Sequence, residues 1–455
     1  MRSVFWVDFL GEIIKSVNSF LWDFALLFLL CGTGVYFTVR LKFVQIRKFP
    51  AALKAVFGNI RLRGAKADHE GMSSFQSLAT AIAAQVGTGN IAGAATAIAS
   101  GGPGAIFWMW LSAFFGMATI YGEATLAQKY KTRIDGHVTG GPVYYIKAAF
   151  RGTFGKVLAA VFSVFIIVAL GFMGNMVQSN SISVAFESAF GVNKLYVGII
   201  VAVTAGFIFL GGVKRIASVT EKIVPIMALC YVLGSLIIII GNFSRIGEAF
   251  RLIFVGAFDP AAVMGGAVGI TVKTAVRYGV ARGLFSNEAG MGSTPHAHAM
   301  AKVDHPCDQG LVAIVGVFID TFIVLTMTAL VVVITGAFQS GLTGVELAQS
   351  AFVSFYGKFG NIFIAVSLLF FAFSTIIGWY FFGEQNVKYL FGSKAVKFYA
   401  ALVVVFVIVG SVMKVGLVWD MSDMFNGLMV IPNLLGLLAL SGVVAALDKE
   451  SEHLK

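Results

Sequence analysis

Apolar runs long enough to cross a bilayer recur from residue 16 to residue 443 of this 455-residue chain. Hydrocarbon offers backbone amides and carbonyls no partner, so a chain that spans it repeatedly does so as helices or as a closed barrel. The runs approach the ~20 residues a helix needs, well beyond the ~10 of a barrel strand. The expectation is an all-α polytopic membrane protein. Eleven candidate spans stand out, at roughly 17–39, 74–99, 104–128, 155–187, 194–210, 217–241, 277–301, 308–336, 358–384, 396–413 and 421–445. Residues 243–275, with Asp259-Pro260 and a glycine-rich patch, fit a connector holding a short interfacial or re-entrant helix. The first run lacks a small-residue cleavage site leading into a soluble chain, so it is expected to span rather than to be removed.

The basic residues orient these spans. Arg40, Lys42, Arg47, Lys48, Lys54, Arg61, Arg63 and Lys66 follow the first run with no acid before Asp68. Lys129, Lys131 and Arg133 follow the third run, Lys214 and Arg215 the fifth, and Lys388, Lys394 and Lys397 the ninth. With eleven spans, all of these loops share one side, which the positive-inside rule makes cytoplasmic. The amino terminus is then outside and the tail DKESEHLK inside. The net charge of +11 thus reflects loops facing anionic lipid rather than nucleic acid. Three cysteines, Cys31, Cys230 and Cys307, show no metal spacing, and their odd number argues against a disulfide framework.

Two of the apolar runs are broken by glycine. Residues 85–93 read QVGTGNIAG, and 203 positions later Gly290 and Gly292 stand where Gly87 and Gly89 stood, Ala297 for Ala94 and Pro306 for Pro103. Each copy opens a helix pair, and each unit holds five spans, so the second copy lies inverted. Glycine-interrupted segments at matching positions of two halves are the sequence trace of an inverted-repeat transporter. Glycine lets the backbone leave helical geometry and removes Cβ atoms that would hold a ligand away. The freed amides suit a carboxylate and the freed carbonyls a cation. Small residues that merely permit close helix packing are the alternative; they account for Gly93, Gly101 and Gly102 better than for the Gly87–Asn90 cluster.

ATAIAAQVGTGNIAG (Ala79–Gly93), GGPGAIFWMW (Gly101–Trp110), GHVTGGPVYYI (Gly136–Ile146) and RGLFSNEAGMGSTPHAHA (Arg282–Ala299) resemble the prokaryotic sodium:alanine symporters, the alanine or glycine:cation symporter family. The resemblance runs in order over nearly the whole chain. It implies the leucine-transporter-like fold, a five-plus-five inverted repeat preceded by one extra N-terminal transmembrane helix. The expected layout is helix and basic loop over 1–70, first repeat 71–241, extracellular connector 242–276, second repeat 277–445 and cytoplasmic tail 446–455. It also implies sodium-driven uptake of a small neutral amino acid, alanine or glycine, with sodium as coupling ion and no cofactor. By the same resemblance, Ala83, Val86, Ser374 and Thr375 hold sodium, and the Thr88 and Gly89 amides meet the substrate carboxylate. Gln85 and Asn90 at the first break and Gly290 and Gly292 at the second join the substrate-binding set. The alternative for Ser374 and Thr375 is a bond back to the preceding turn of their own helix.

Phe172, Asn175 and Gln178 are expected to line a small cavity, with Asn175 and Gln178 near one another on a helix face; a polar clasp between helices is the alternative for that pair. Trp379 sits mid-span rather than in an interfacial belt, which suits contact with the substrate's side chain or core packing. Among the ionisable residues at membrane depth (Glu123, Glu221, Arg282, Glu288, Asp320 and Glu384), only Asp320 is central. His296 and His298 lack a carboxylate-rich metal context and fit an inner gate better. The scattered histidines offer an enzyme no catalytic constellation, and two broken helices fit alternating access better than an open channel. A proton-coupled or uncoupled permease and a non-transporting receptor stay open. Nucleic acid is excluded as a partner, and no obligate protein partner is evident.

Overall fold

The structure, a computed structural model, describes residues 2–58, 71–264 and 270–453; Arg61, Arg63 and Lys66 of the basic loop lie outside them. In chain order the first half holds α1 (Gly11–Arg40), the broken pair α2 (Ser74–Gln85) and α3 (Ala94–Gly101), α4 (Ala105–Lys129), α5 (Gly152–Phe190), α6 (Lys194–Phe209) and α7 (Gly212–Gly241). The second holds the broken pair α8 (Val272–Asn287) and α9 (Pro295–Ala299), then α10 (Pro306–Ile334), α11 (Lys358–Phe391), α12 (Val396–Val412), α13 (Val415–Ala439) and a terminal α14 (Ser441–His453). Eight described helices are long and apolar enough to cross a membrane. The other expected spans fall on the apolar α6, 16 residues long, and on the two broken pairs.

The helices form two packed groups. In one, α4 packs against α8 and α10; in the other, α5 packs against α11 and α12, and α6 against α12. The first broken helix lies between them, with α2 touching α10 of the first group and α11 of the second, and α7 besides. Helix α1 packs outside, on α4 and α13. Residues 243–275 hold the helices Ile246–Phe258 and Pro260–Met264; residues 265–269 of the glycine-rich patch lie outside the described residues. The helix Gly344–Tyr356 is too short at 13 residues to span and was not among the expected elements. The ordered loop after α4 is a hairpin, β1 (Thr132–Ile134) with β2 (His137–Thr139), turned by Asp135 and Gly136, both at positive φ, as a tight Asp-Gly hairpin demands.

The terminal helix α14 is clamped at the basic end. Asp448 accepts from Lys48 Nζ at 2.6 Å, Arg47 at 2.9 Å and Tyr121 at 2.6 Å. Burial pushes the Asp448 carboxyl up, but these bonds outweigh it and hold it below the ordinary aspartate value of 3.8. A carboxylate depressed in this way stabilises the fold fully above its unfolded value and loses that contribution as pH falls through its folded value. The stability gap between wild type and Asp448→Asn, about 1.5–3 kcal/mol for hydrogen bonds to a charged group, should hold steady from neutral pH down to about pH 5. It should close only below the ordinary aspartate range. Thermal unfolding of both proteins against pH measures this, and a gap that closes near neutral pH would reject the clamp.

Candidate functional site

The first break is made by local competition for backbone partners. In an unbroken helix Ala83 O would accept from Gly87 N. Here Gly87 N donates instead to the Asn90 side chain (3.0 Å), and Thr88 N donates to Gln178 Oε1 (3.0 Å). Val86 leaves helical geometry at φ −80°, ψ 86°. A π-type turn over Gly89–Gly93 restarts the helix. The carbonyl of Ala83 is thereby released. It accepts from Thr375 Oγ1 at 2.9 Å and, more weakly, from Ser374 Oγ at 3.4 Å.

Both hydroxyls also bond back within α11, Ser374 to Phe371 O at 2.8 Å and Thr375 at 3.1 Å. Each hydroxyl, with a single proton, thus shares it between the turn of its own helix and Ala83 O. Oxygens of Ala83, Phe371, Ser374 and Thr375 converge with no carboxylate among them, a donor set of the kind hard cations take. For Val86 the backbone departure is the relevant geometry. A Cβ built on Gly87 would collide with Thr375 Oγ1 and come within 3.1 Å of Gln178 Oε1, so the glycine is what lets α11 and α5 reach the break together.

Gln178 takes both the amide and the hydroxyl of Thr88, the latter at 2.7 Å. Its carboxamide oxygen thus sits where the carboxylate was expected. Gln85 donates to Asn287 O (2.7 Å), joining the first break directly to the second. Asn175 bonds back to Gly171 O (3.1 Å). All three carboxamides are buried, and Gln85 Oε1, Asn175 Oδ1 and Gln178 Nε2 have no partner among the described residues. Each such atom costs about 1–3 kcal/mol unless a ligand or water completes it.

Other expected residues are placed differently. Phe172 packs on Tyr399 and Phe406, with ring centroids 5.7 and 4.6 Å away, toward α12 rather than onto the Thr88–Gln178 pair. Gly290 and Gly292 do not offer free amides. Both donate to Glu123, at 2.9 and 3.0 Å, and their φ of 91° and 77° explains why glycine is required. This corrects the expectation that they face substrate, because a carboxylate from α4 already fills the role. Trp379 is buried and donates its indole N–H to Glu288, with its ring edge-on to Phe285 at 5.5 Å. Gly89 lies against Ser286, whose Cα would be 3.0 Å from a Cβ there.

Residue types alone did not point to several of these partners. Asp320, fully buried on a π-type stretch of α10, accepts from Asn90 Nδ2 (2.7 Å), Ser286 Oγ (3.0 Å) and Thr321 Oγ1 (2.8 Å). It ties the two breaks together. Glu123 also accepts from Asn433 (2.6 Å). Asp320 was visible as the central acid; Asn433 carried no signal in a single sequence. His296 meets Ser293 O and Asn386, and His298 meets Gln309; no group of metal-ligating side chains occurs among the described residues.

Two sets of contacts flank the site. At the basic end Met72 and Met300–Lys302 pair through backbone bonds of 3.0 and 3.2 Å. At the other end Arg282 makes a two-pronged pair with Asp423 at 2.6 and 2.8 Å.

The sequence profile of the Sodium:alanine symporter family matches residues 7–454. A protein named Sodium/alanine symporter AgcS, of Methanococcus maripaludis, is 44% identical, covering 99% of this chain and 98% of that protein. An uncharacterized transporter of Haemophilus influenzae is 46% identical, covering 96% of this chain and 95% of its own length. Among solved structures, MhsT in complex with L-phenylalanine superposes with a TM-score of 0.58 at 15% identity, over 84% of this chain and 98% of that one. At that identity the likeness shows fold alone, and the fold is leucine-transporter-like.

Proposed function

The chain belongs to the sodium:alanine symporter family, and from that premise we propose that it carries alanine or glycine inward with sodium by alternating access. It is a multi-pass membrane protein and an amino-acid:cation symporter, not an enzyme. The observation that carries the finer reading is the meeting of α2, α5 and α11 at one break. There Ala83 O faces the Ser374 and Thr375 hydroxyls, and Gln178 holds the Thr88 amide. Neutral oxygens on one side suit a cation, and amide and hydroxyl donors on the other suit a carboxylate.

Substrate arrival would displace the Gln178 oxygen from Thr88, exchanging a carboxamide for a charged carboxylate and a stronger hydrogen bond. Opening at either end would require breaking the Met72–Met300 pairing or the Arg282–Asp423 pair, one at a time. The basic end is assigned to the cytoplasm and the amino terminus to the outside, with repeats over 71–241 and 277–445. A proton-coupled reading is favoured by one feature, the buried Asp320 beside Asn90.

Alanine affinity across a sodium titration, in wild type and Thr375→Ala, tests the reading. Losing a ligand should weaken sodium affinity by about tenfold, and linkage requires alanine affinity at low sodium to fall as well. Saturating sodium should restore it. Superimposable curves for the two proteins would remove Thr375 from the ion site. Wild-type binding that ignores sodium but follows pH would favour the proton reading.

A further inference from the structure

Thr375 of α11 and Gln178 of α5 converge on Gly87 at the first break. One helical turn nearer the basic end, on the same faces of those two helices, stand Trp379 and Gly174. They touch: a Cβ built on Gly174 would collide with Cζ3 of the Trp379 ring and lie 2.6 Å from its Cε3. The ring meets Phe285 edge-on at 5.5 Å, and Phe285 reaches the break, 3.3 Å from a Cβ built on Gly89. The indole is thus a floor to the site on its basic side.

Packing alone leaves a flat ring free to slide over a glycine. The indole's one polar group is a donor, and burying it unpaired is unfavourable. Its acceptor is Glu288 Oε1, while Glu288 Oε2 accepts from Ser293 at the entry to α9. All three side chains are buried. Glu288 also stands at φ 58° where α8 ends, a left-handed position that suits glycine. The fold therefore keeps a buried carboxylate on a backbone that disfavours any side chain. What the position gains is two bonds, one to the α11 indole and one to the second break.

We propose that Glu288 is a positioning residue for substrate size: by holding the Trp379 indole across the floor of the site, it fixes the length of side chain the site accepts. The proposal rests on the substrate class assigned above. A small neutral amino acid ends at the indole, and each further methylene has to push the ring off its bond to Glu288.

Displacement of radiolabelled alanine from the purified full-length protein at saturating sodium, by alanine, 2-aminobutyrate and norvaline, tests it. In wild type each added methylene should weaken binding. Glu288→Ala should lower the alanine-to-norvaline affinity ratio at least tenfold, about the effect of one methylene. Glu288→Gln should hold that ratio within about twofold, because its carbonyl can accept from Trp379 and its amide can donate to Ser293. A role confined to stability would weaken all three ligands together and leave the ratio alone. Trp379→Phe, which loses the N–H, should relax the ratio too, and adding Glu288→Ala to it should relax it no further. Where Glu288→Ala gives no folded protein, Glu288→Met, of similar volume without the acceptor, reads the same ratio. A ratio unchanged in Glu288→Ala or Glu288→Met, or as relaxed in Glu288→Gln as in either, overturns the positioning role. Wild type that binds norvaline as well as alanine also overturns it and leaves the proposed function standing. No alanine binding at all overturns the proposed function and the positioning role together.

Discussion

Gly87→Ala is expected to lower sodium-driven alanine uptake at least a hundredfold, about 3 kcal/mol, while the protein still inserts and purifies as a monodisperse species. The single added methyl would strike Thr375 Oγ1 and lie 3.1 Å from both Gln178 Oε1 and Thr375 Cβ. Relief requires either α11 or α5 to retreat from the break. Overpacking of this kind costs about 1–3 kcal/mol in a well-packed core, and here it also separates the hydroxyl from Ala83 O and Gln178 from Thr88. Gly93→Ala is the matched control. A Cβ at that position meets only Thr88 O, at 3.8 Å, an ordinary contact, so uptake should stay within about twofold. Uptake in proteoliposomes with an imposed sodium gradient measures both. Gly87→Ala at the wild-type rate, or Gly93→Ala as damaged as Gly87→Ala, would remove the steric account of the break.

Asp320→Ala should be comparably damaging for a different reason. The carboxylate accepts from Asn90, Ser286 and Thr321, and so joins the first break to the end of α8. Its removal leaves the buried Ser286 and Thr321 hydroxyls without that acceptor at about 1–3 kcal/mol each, while Asn90 Nδ2 keeps only its bond to the Asp320 backbone oxygen (3.0 Å). That loosens Asn90, whose own oxygen holds the Gly87 amide (3.0 Å). Uptake should fall beyond a hundredfold, about 3 kcal/mol, and thermal stability should drop with it. Asp320→Asn separates charge from shape: it keeps an acceptor and similar volume, and the hydroxyls of Ser286 and Thr321 can reverse their roles. Stability near wild type with uptake lost would mean that the negative charge itself is needed for coupling. Recovery of both would confine Asp320 to scaffolding. Uptake by Asp320→Ala within a few-fold of wild type would show that the junction between the breaks is dispensable.

The outlying helix α1 bears on the same question of what a residue pattern can reveal. Its apolar run was legible as a span, and Lys15 and Asn18 were merely polar residues near its start. Only the approach of α8 and α13 turns them into walls of a cavity. Similarly, Gly290 and Gly292 were recognisable as a break, but their amides went to Glu123 from α4. A single sequence carries no mark that residues 123 and 290 meet.

What the sequence by itself determined is what depends on the solvent and on neighbours a few residues away. Apolar length against bilayer thickness yields the spans, the basic residues between them yield the expected orientation, and glycines at 87, 89, 290 and 292 mark where helices cannot continue. Those are local matters of hydration and backbone sterics, and they are readable residue by residue. Which of three similar glycines is indispensable, which carboxamide faces the Thr88 amide and which carboxylate joins the breaks were decided by tertiary structure alone. Each depends on atoms from helices 90 to 292 residues distant, brought within about 3 Å, where a methyl group or one hydrogen-bond acceptor changes which contacts can form.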